Sequence, residues 1–315
     1  MRVTLIHNPA AGREGAGDAR KLEKLLSGLG YKVRYHSSKE KGLRRALKKD
    51  ADVIAVAGGD GTVARVTRRM VGGKTPIAIL PSGTANNVAR SLGLLGRHFE
   101  ELVRGWEGAR RVNLDVGIAA GPWGERYFVE GVGTGLFANL LTNEKSEAEQ
   151  RKAKRKANPV EGALQRLKEA AETLEPVEVN ARLDGEDISG RYLLLEAVNL
   201  PYVGPNLHLV HDSQPGDGHF DVVMVAESER DRLVHYLDHW QDNRERLAIL
   251  PTKRGKRLQI EWTGFPLHID DKLLPKEDAE PDEVAGLLEA HIAKSVEFLV
   301  PVSTREGRPI RASRG

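Results

Sequence analysis

The sequence predicts an α/β N-terminal domain built as a layered parallel sheet, followed by an antiparallel, β-rich C-terminal domain. Three observations predict it. Over the first third of the chain, apolar runs of strand length alternate with helical patterns, the signature of parallel βαβ units. From about Val112 the texture changes to short strand-like runs bounded by Gly, Pro, Asn or Asp, with few helices between them. The chain has 315 residues, above the usual size of one domain.

The elements follow in order. "VTLIHN" reads as a buried strand, and "DARKLEKLLSGLG" as a helix with Leu22, Leu25, Leu26 and Leu29 at helical spacing and Gly30 as its stop. Next come the strand "YKVRYHSS", the helix "KEKGLRRALKKD", the strand "DVIAVAGGD" and the helix "VARVTRRMVGG". The strand "PIAILPSGT" and the helix "ANNVARSLG" complete the alternating part. Strands of the second half are "RYFVEGVGTG", "PVEVNARLDG", "GRYLLLEAVN", "HFDVVMVAE", "RLQIEWTG" and "PLHIDD". Helices are expected there at about 144–174, 228–249 and 281–294, and the basic tail "STREGRPIRASRG" reads as disordered.

Composition narrows the function classes. Hydrophobic residues make up 40%, enough for a core, and aromatics only 5%, so Leu, Val, Ile and Ala must fill it. No Cys is present, which excludes disulfides, thiolate metal sites and Cys nucleophiles and fits a reducing compartment. The opening "MRVTLIHNPAAG" lacks the long apolar run of a signal peptide, and no run approaches the roughly 20 residues of a membrane helix. The expectation is a cytoplasmic protein. A net charge of +3 suits polyphosphates or anionic membrane surfaces and is too weak to argue nucleic acid.

Ligands of such sheets sit beyond the carboxyl ends of the strands. Three turns fall there, after Ile6, Ala57 and Leu80, and would share one rim. Glycines let backbone amides approach a phosphate closely, and a following helix adds free N–H groups and its dipole. In "GGDGT", Gly58, Gly59 and Gly61 supply that approach and Thr62 a hydroxyl. Asp60 can act through Mg²⁺, through ribose hydroxyls, or by ordering the turn. "HNPAAGR" adds Asn8, Gly12 and Arg13, with His7 beside them, and "PSGTANNVAR" adds Ser82, Gly83, Thr84 and Asn86. Neither a Walker A sequence nor a GxGxxG fingerprint is present.

"HNPAAG", "GGDGT" and "PSGTANNVARSLG", in this order and spacing, resemble the diacylglycerol kinase catalytic domain, and more narrowly the bacterial YegS/BmrU-type lipid kinases, relatives of sphingosine and ceramide kinases. The resemblance continues collinearly through "NLDVG", "FVEGVGTGLFA", "EAVNLPYVGPNLHL" and "PGDGHFDVV". It implies an NAD kinase/diacylglycerol kinase-like α/β domain at 1–117, rejoined by about 297–315 through the last strand "SVEFLVP", with a β-sandwich acceptor domain at 118–296. ATP would lie between the two, lined by Asn8, Gly59, Asp60, Gly61, Thr62, Gly83 and Thr84. The acceptor would be a lipid hydroxyl such as that of diacylglycerol, with Mg²⁺ as cofactor. Asp217 in "QPGDGHF" would hold a structural Mg²⁺ with the backbone carbonyls of Gln214 and His219; from spacing alone the same residues read as a Gly-Asp-Gly turn.

The chain departs from that family at three places. Ala64-Arg65 stands where Asn-Glu often follows GGDGT, Asn86-Asn87 stands for Asn-Asp, and "IDDK" stands for Asp-Gly-Glu. The glutamate of that last motif is the proposed base, and a protonated Lys272 cannot replace it. Asp271 or Asp270 can take the role, or the stretch is simply an Asp-rich turn. A base contributes roughly 10²- to 10⁴-fold, so its loss slows phosphoryl transfer without abolishing it. Two other readings follow: a weakened relative that senses nucleotide or lipid, and a kinase of a soluble acceptor such as NAD. "RKAKRK" would attract anionic lipids or simply face water. His235 and His239 are spaced as metal ligands but read as a surface helix. A homodimer stays open.

Overall fold

The computed structural model describes residues 1–11, 18–142, 159–240, 249–276, 279 and 284–302. Strands β1 (Arg2–His7), β2 (Lys32–Ser37), β3 (Val53–Gly58) and β4 (Ile77–Pro81) form a parallel sheet in the order β2–β1–β3–β4. β3 is buried along its whole length, as expected for a strand covered on both faces. Helices α1 (Ala19–Gly28), α2 (Leu43–Leu47), α3 (Asp60–Met70), α4 (Asn87–Ser91) and α5 (Phe99–Arg104) connect and cover the strands. The Asp18 side chain caps α1 by accepting from the Arg20 N–H at 2.9 Å. Gly30 ends the helix at φ +84°, and the Tyr31 N–H closes back on the Leu26 carbonyl at 3.1 Å. Leu22 and Leu26 are buried on the inner face of α1; each such side chain contributes about 1.5–3 kcal/mol.

The second half is antiparallel. Strands β5 (Arg110–Gly121), β6 (Gly124–Phe128), β8 (Val177–Leu183), β15 (Arg257–Trp262) and β18 (Gly286–Val300) form one layer in the order β8–β15–β18–β5–β6. Strands β7 (Gly131–Gly135), β10 (Gly190–Val198), β13 (Phe220–Ala226), β14 (Thr252–Gly255), β16 (Leu267–Ile269) and β17 (Lys272–Leu274) form the other, ordered β17–β16–β7–β10–β13–β14. Two small pairs complete the strands: β9 (Glu186–Asp187) beside β8, and β11 (Tyr202–Val203) with β12 (Leu207–His208). Val179, Ile260, Trp262 and Leu288 of the first layer meet Leu195, Phe220, Val222 and Leu267 of the second in a sandwich core. Helices α6 (Pro159–Thr173) and α7 (Arg230–His239) cover the outer face of the second layer with Leu164, Leu167, Leu233 and Tyr236.

Strand β18 corrects the helix expected at 281–294. "GLLEAHIAK" is rich in helix formers, yet Leu288 and Ala290 face the core while Leu287 stands exposed, with β15 and β5 on either side. Burial at period two and two paired edges override the helix propensity. The end of β18 lies parallel to β4, with Phe298 beside Ile77. Val296, Phe298 and Val300 thereby enter the core of the parallel sheet. Pro159 is the first residue of α6, where its missing N–H costs nothing. Ala163, Leu164, Leu167 and Ala171 form the buried face of α6, with Ala170 partly buried beside them. The run "RKAKRK" and the basic tail lie outside the described residues. No helix among the described residues is long and apolar enough to cross a membrane.

Candidate active site

The three turns meet at one rim. Asn8 at the end of β1 donates from Nδ2 to Thr62 Oγ1 at 3.2 Å, which ties the first turn to the start of α3. The second and third turns touch backbone to backbone: a Cβ on Gly83 would sit 2.3 Å from Gly59 Cα, and one on Gly59 would sit 2.8 Å from Gly83 Cα. Only glycine permits that approach. Space above Gly61 is open, at the N-terminus of α3. Ser82 is buried with its Oγ unpartnered among the described residues, and Thr84 is exposed on the rim. Asn86 closes its own turn, with Oδ1 accepting from the Gly83 N–H at 2.9 Å and Nδ2 donating to the Gly83 carbonyl at 2.8 Å. Gly58 packs against Thr62, and Gly12 and Arg13 lie outside the described residues.

Asp60 orders the turn. Its Oδ1 accepts from the Val88 N–H at 3.1 Å and so docks α3 onto the first turn of α4. Burial pushes this carboxyl up, and the amides of Val88, Asn87 and Asn86 oppose the shift. Asn87 is buried beside it; its Nδ2 donates to Glu130 Oε2 at 3.0 Å and to the Gly204 carbonyl at 2.9 Å, while its Oδ1 has no partner among the described residues.

Below the rim a cavity of about 230 Å³ opens between the two halves of the molecule. Asp60, Gly61 and Ala64 of α3 form one wall, and Phe137, Leu140, Leu141 and Val203 an apolar one. Glu130, Glu196, His268 and Asp271 face it from the β-rich half. Glu196 on β10 and His268 on β16 both stand in register with Gly133 of β7. With no side chain between them they meet over the glycine, His268 Nε2 to Glu196 Oε2 at 2.8 Å; a Cβ on Gly133 would fall 2.0 Å from that oxygen. Burial pushes the Glu196 carboxyl up, against the pull of His268. Burial would lower the imidazole, but Glu196 outweighs it and the net shift is upward.

Asp270 is spent on the fold. Held at φ +49°, it accepts from the backbone N–H groups of Val129, Glu130 and Gly131, the Glu130 contact at 2.8 Å, and pairs with Arg68 of α3. Its side chain is 3% exposed, which places it poorly for the base role expected of it. Asp271 is exposed, and its Oδ2 takes Lys272 Nζ at 2.7 Å. Asp217 lies elsewhere, between Gly216 and Gly218, both at positive φ. Its carboxylate pairs with Arg254 and accepts the His219 N–H at 3.0 Å, so a cation there would compete with Arg254. Gln214 lies in the same loop, three residues before Asp217. The His235 and His239 rings lie 4.2 Å apart on α7, tilted by 33°. Among the described residues no group of three or more His, Asp or Glu is arranged to hold a metal ion.

Residues 2–119 match the diacylglycerol kinase catalytic domain family. The matched segment contains all three turns of the rim. The chain is 27% identical over 313 residues to the diacylglycerol kinase of Bacillus subtilis, covering 89% of this chain and 98% of that one. It is 26% identical over 258 residues to the diacylglycerol kinase of Mycobacterium tuberculosis, covering 78% and 79%. In fold it is similar to a diacylglycerol kinase crystal structure from Bacillus anthracis, with TM-score 0.62, 19% identity and 96% and 97% coverage. Yeast NADH kinase shares the fold more distantly, with TM-score 0.50 and 8% identity. Of the three departures, Asn87 lines the cavity, and Arg65 and Lys272 adjoin its lining residues Ala64 and Asp271.

Sequence reasoning missed Arg68, Glu130, Glu196 and His268. A signal existed for the two glutamates: each interrupts an apolar strand run, "FVEGVG" and "LLLEAVN", where an ionisable residue needs a reason. Arg68 and His268 carried none, because their partners are 202 and 72 residues away.

Proposed function

We propose that this protein transfers the γ-phosphoryl group of ATP to the hydroxyl of a lipid. One observation carries the reading: the glycine rim opens directly into an apolar-walled cavity, so a phosphate site and an alkyl-sized site share Asp60 and Gly61. The Gly59–Gly83 contact, the open space over Gly61 and the unpartnered Ser82 hydroxyl suit a polyphosphate held by backbone amides. When bound, ATP and Mg²⁺ supply the phosphoryl group and neutralise its charge. The described residues present no assembled carboxylate cage, so Mg²⁺ would be held mainly by phosphates and water. Phe137, Leu140 and Leu141 exclude water from the acceptor and hold its apolar part. Membrane approach from the cytoplasmic face belongs to the same reading.

Lys272 favours a second reading, a weakened relative that senses nucleotide or lipid: the exposed Asp271–Lys272 pair leaves no glutamate at the turn. The test is incubation with γ-labelled ATP, Mg²⁺ and diacylglycerol in detergent micelles, alongside lipids extracted from the host. Label in the organic phase supports the kinase. ATP binding without label in any lipid supports the sensor, and label on NAD instead of lipid overturns both.

A further inference from the structure

Resting on the lipid kinase reading, we infer that Glu130 is the proton acceptor for the substrate hydroxyl in this chain. Four of the five carboxyl groups around the cavity are already engaged. Asp60 holds the N-terminus of α4, Asp270 holds three backbone amides and Arg68, Glu196 is locked to His268, and Asp271 is paired with Lys272 in solvent. The fifth, Glu130, is partly exposed on the cavity wall between the rim and the acceptor side. Among the described residues its carboxyl takes one hydrogen bond, from Asn87 Nδ2 at 3.0 Å on Oε2, leaving Oε1 to the cavity.

The surroundings tune it for the task. Asp60 faces it from α3, and Asp270 and Asp271 from the β16–β17 turn. Arg68 stands beyond Asp270, and the Glu196–His268 pair lies on β10 and β16, the strands on either side of β7. Burial first, then Asp60, Asp270 and Asp271, push the Glu130 carboxyl well above the usual carboxylate range, with only Asn87 opposing. A carboxyl raised in this way is a stronger base than an exposed aspartate tied to lysine. Asn87 thus acquires a purpose: an aspartate there would repel Glu130, whereas the amide orients it.

The step balances. The hydroxyl proton moves to a Glu130 oxygen, and the hydroxyl oxygen forms a bond to the γ-phosphorus. The bond from that phosphorus to the bridging oxygen breaks, and ADP leaves with the electron pair. Glu130 then returns its proton to solvent.

The experiment measures γ-labelled phosphoryl transfer to dioctanoylglycerol micelles across pH 5.5–9 for the full chain, Glu130→Gln, Glu130→Asp and Asp271→Asn. The expected result is a kcat lower by roughly 10²- to 10⁴-fold in Glu130→Gln, with unchanged ATP affinity and no residual rise with pH. Glu130→Asp should keep part of the activity and move the rise along the pH axis, which a structural role would not do. If Glu130→Gln fails to fold, that displaced profile decides. A loss confined to Asp271→Asn, or Glu130→Gln within tenfold of the parent, overturns the assignment while leaving the lipid kinase standing. A half-saturating Mg²⁺ concentration shifted tenfold by Glu130→Gln moves the residue to the cation and overturns it too. No label with the parent protein, despite ATP binding, overturns the lipid kinase reading and this inference together.

Discussion

The rim and the cavity floor are built on different principles. The rim consists of three strand ends whose backbone does the work, with Gly59 against Gly83 and short side chains such as Asn8, Thr62 and Asn86 locking each turn. The floor consists of ionisable side chains far apart in sequence, brought together by the register of β7, β10 and β16. Local chemistry specifies the first and long-range pairing the second. The rim should therefore respond to changes in residue size, and the floor to changes in charge.

The largest effect is expected where the two regions are joined. Asp270→Ala leaves Arg68 and three backbone amides without their acceptor, and should cost about 3–5 kcal/mol in urea unfolding. A cost below about 1 kcal/mol would mean that solvent reaches these groups and that the halves are not joined here.

Next is the rim itself. Gly83→Ala places a Cβ against Gly59 Cα and must part the two turns. ATP affinity by calorimetry should fall at least tenfold, about 1.4 kcal/mol, with the lipid side unaffected. Unchanged affinity would remove the Gly59–Gly83 contact from the nucleotide site.

The floor predicts a pH signature. His268 titrates higher in the folded protein than in the unfolded chain, whose value is about 6.5. The folded state therefore holds a proton that the unfolded chain has released above that pH. Its contribution is complete below about pH 6.5 and fades as pH rises through the folded value, at up to about 1.4 kcal/mol per pH unit. Glu196, also raised, acts in the same sense from its own unfolded value upward. The Glu196→Gln/His268→Gln double variant should show a flatter stability curve between pH 6 and 8 than the parent; parallel curves would show that the pair carries no extra proton.

The smallest effect tests the link of β1 to α3. Thr62→Val keeps the shape but loses the Asn8 hydrogen bond, and should cost about 0.5–1 kcal/mol in the same unfolding measurement.

The sequence by itself determined the alternating strands and helices through α4, the three glycine turns on one rim, and the change to antiparallel strands. Each of these is written in neighbouring residues, as periodicity, a cap or a glycine. It also exposed the departures at Asn87 and Lys272 without saying what stands in for them. Only the tertiary structure decided that 286–300 is a strand, that Asp270 is bound to Arg68, and that Glu196 reaches His268 over Gly133. The physical reason is that a buried charge is defined by its partners, and strand register, not sequence distance, chooses them.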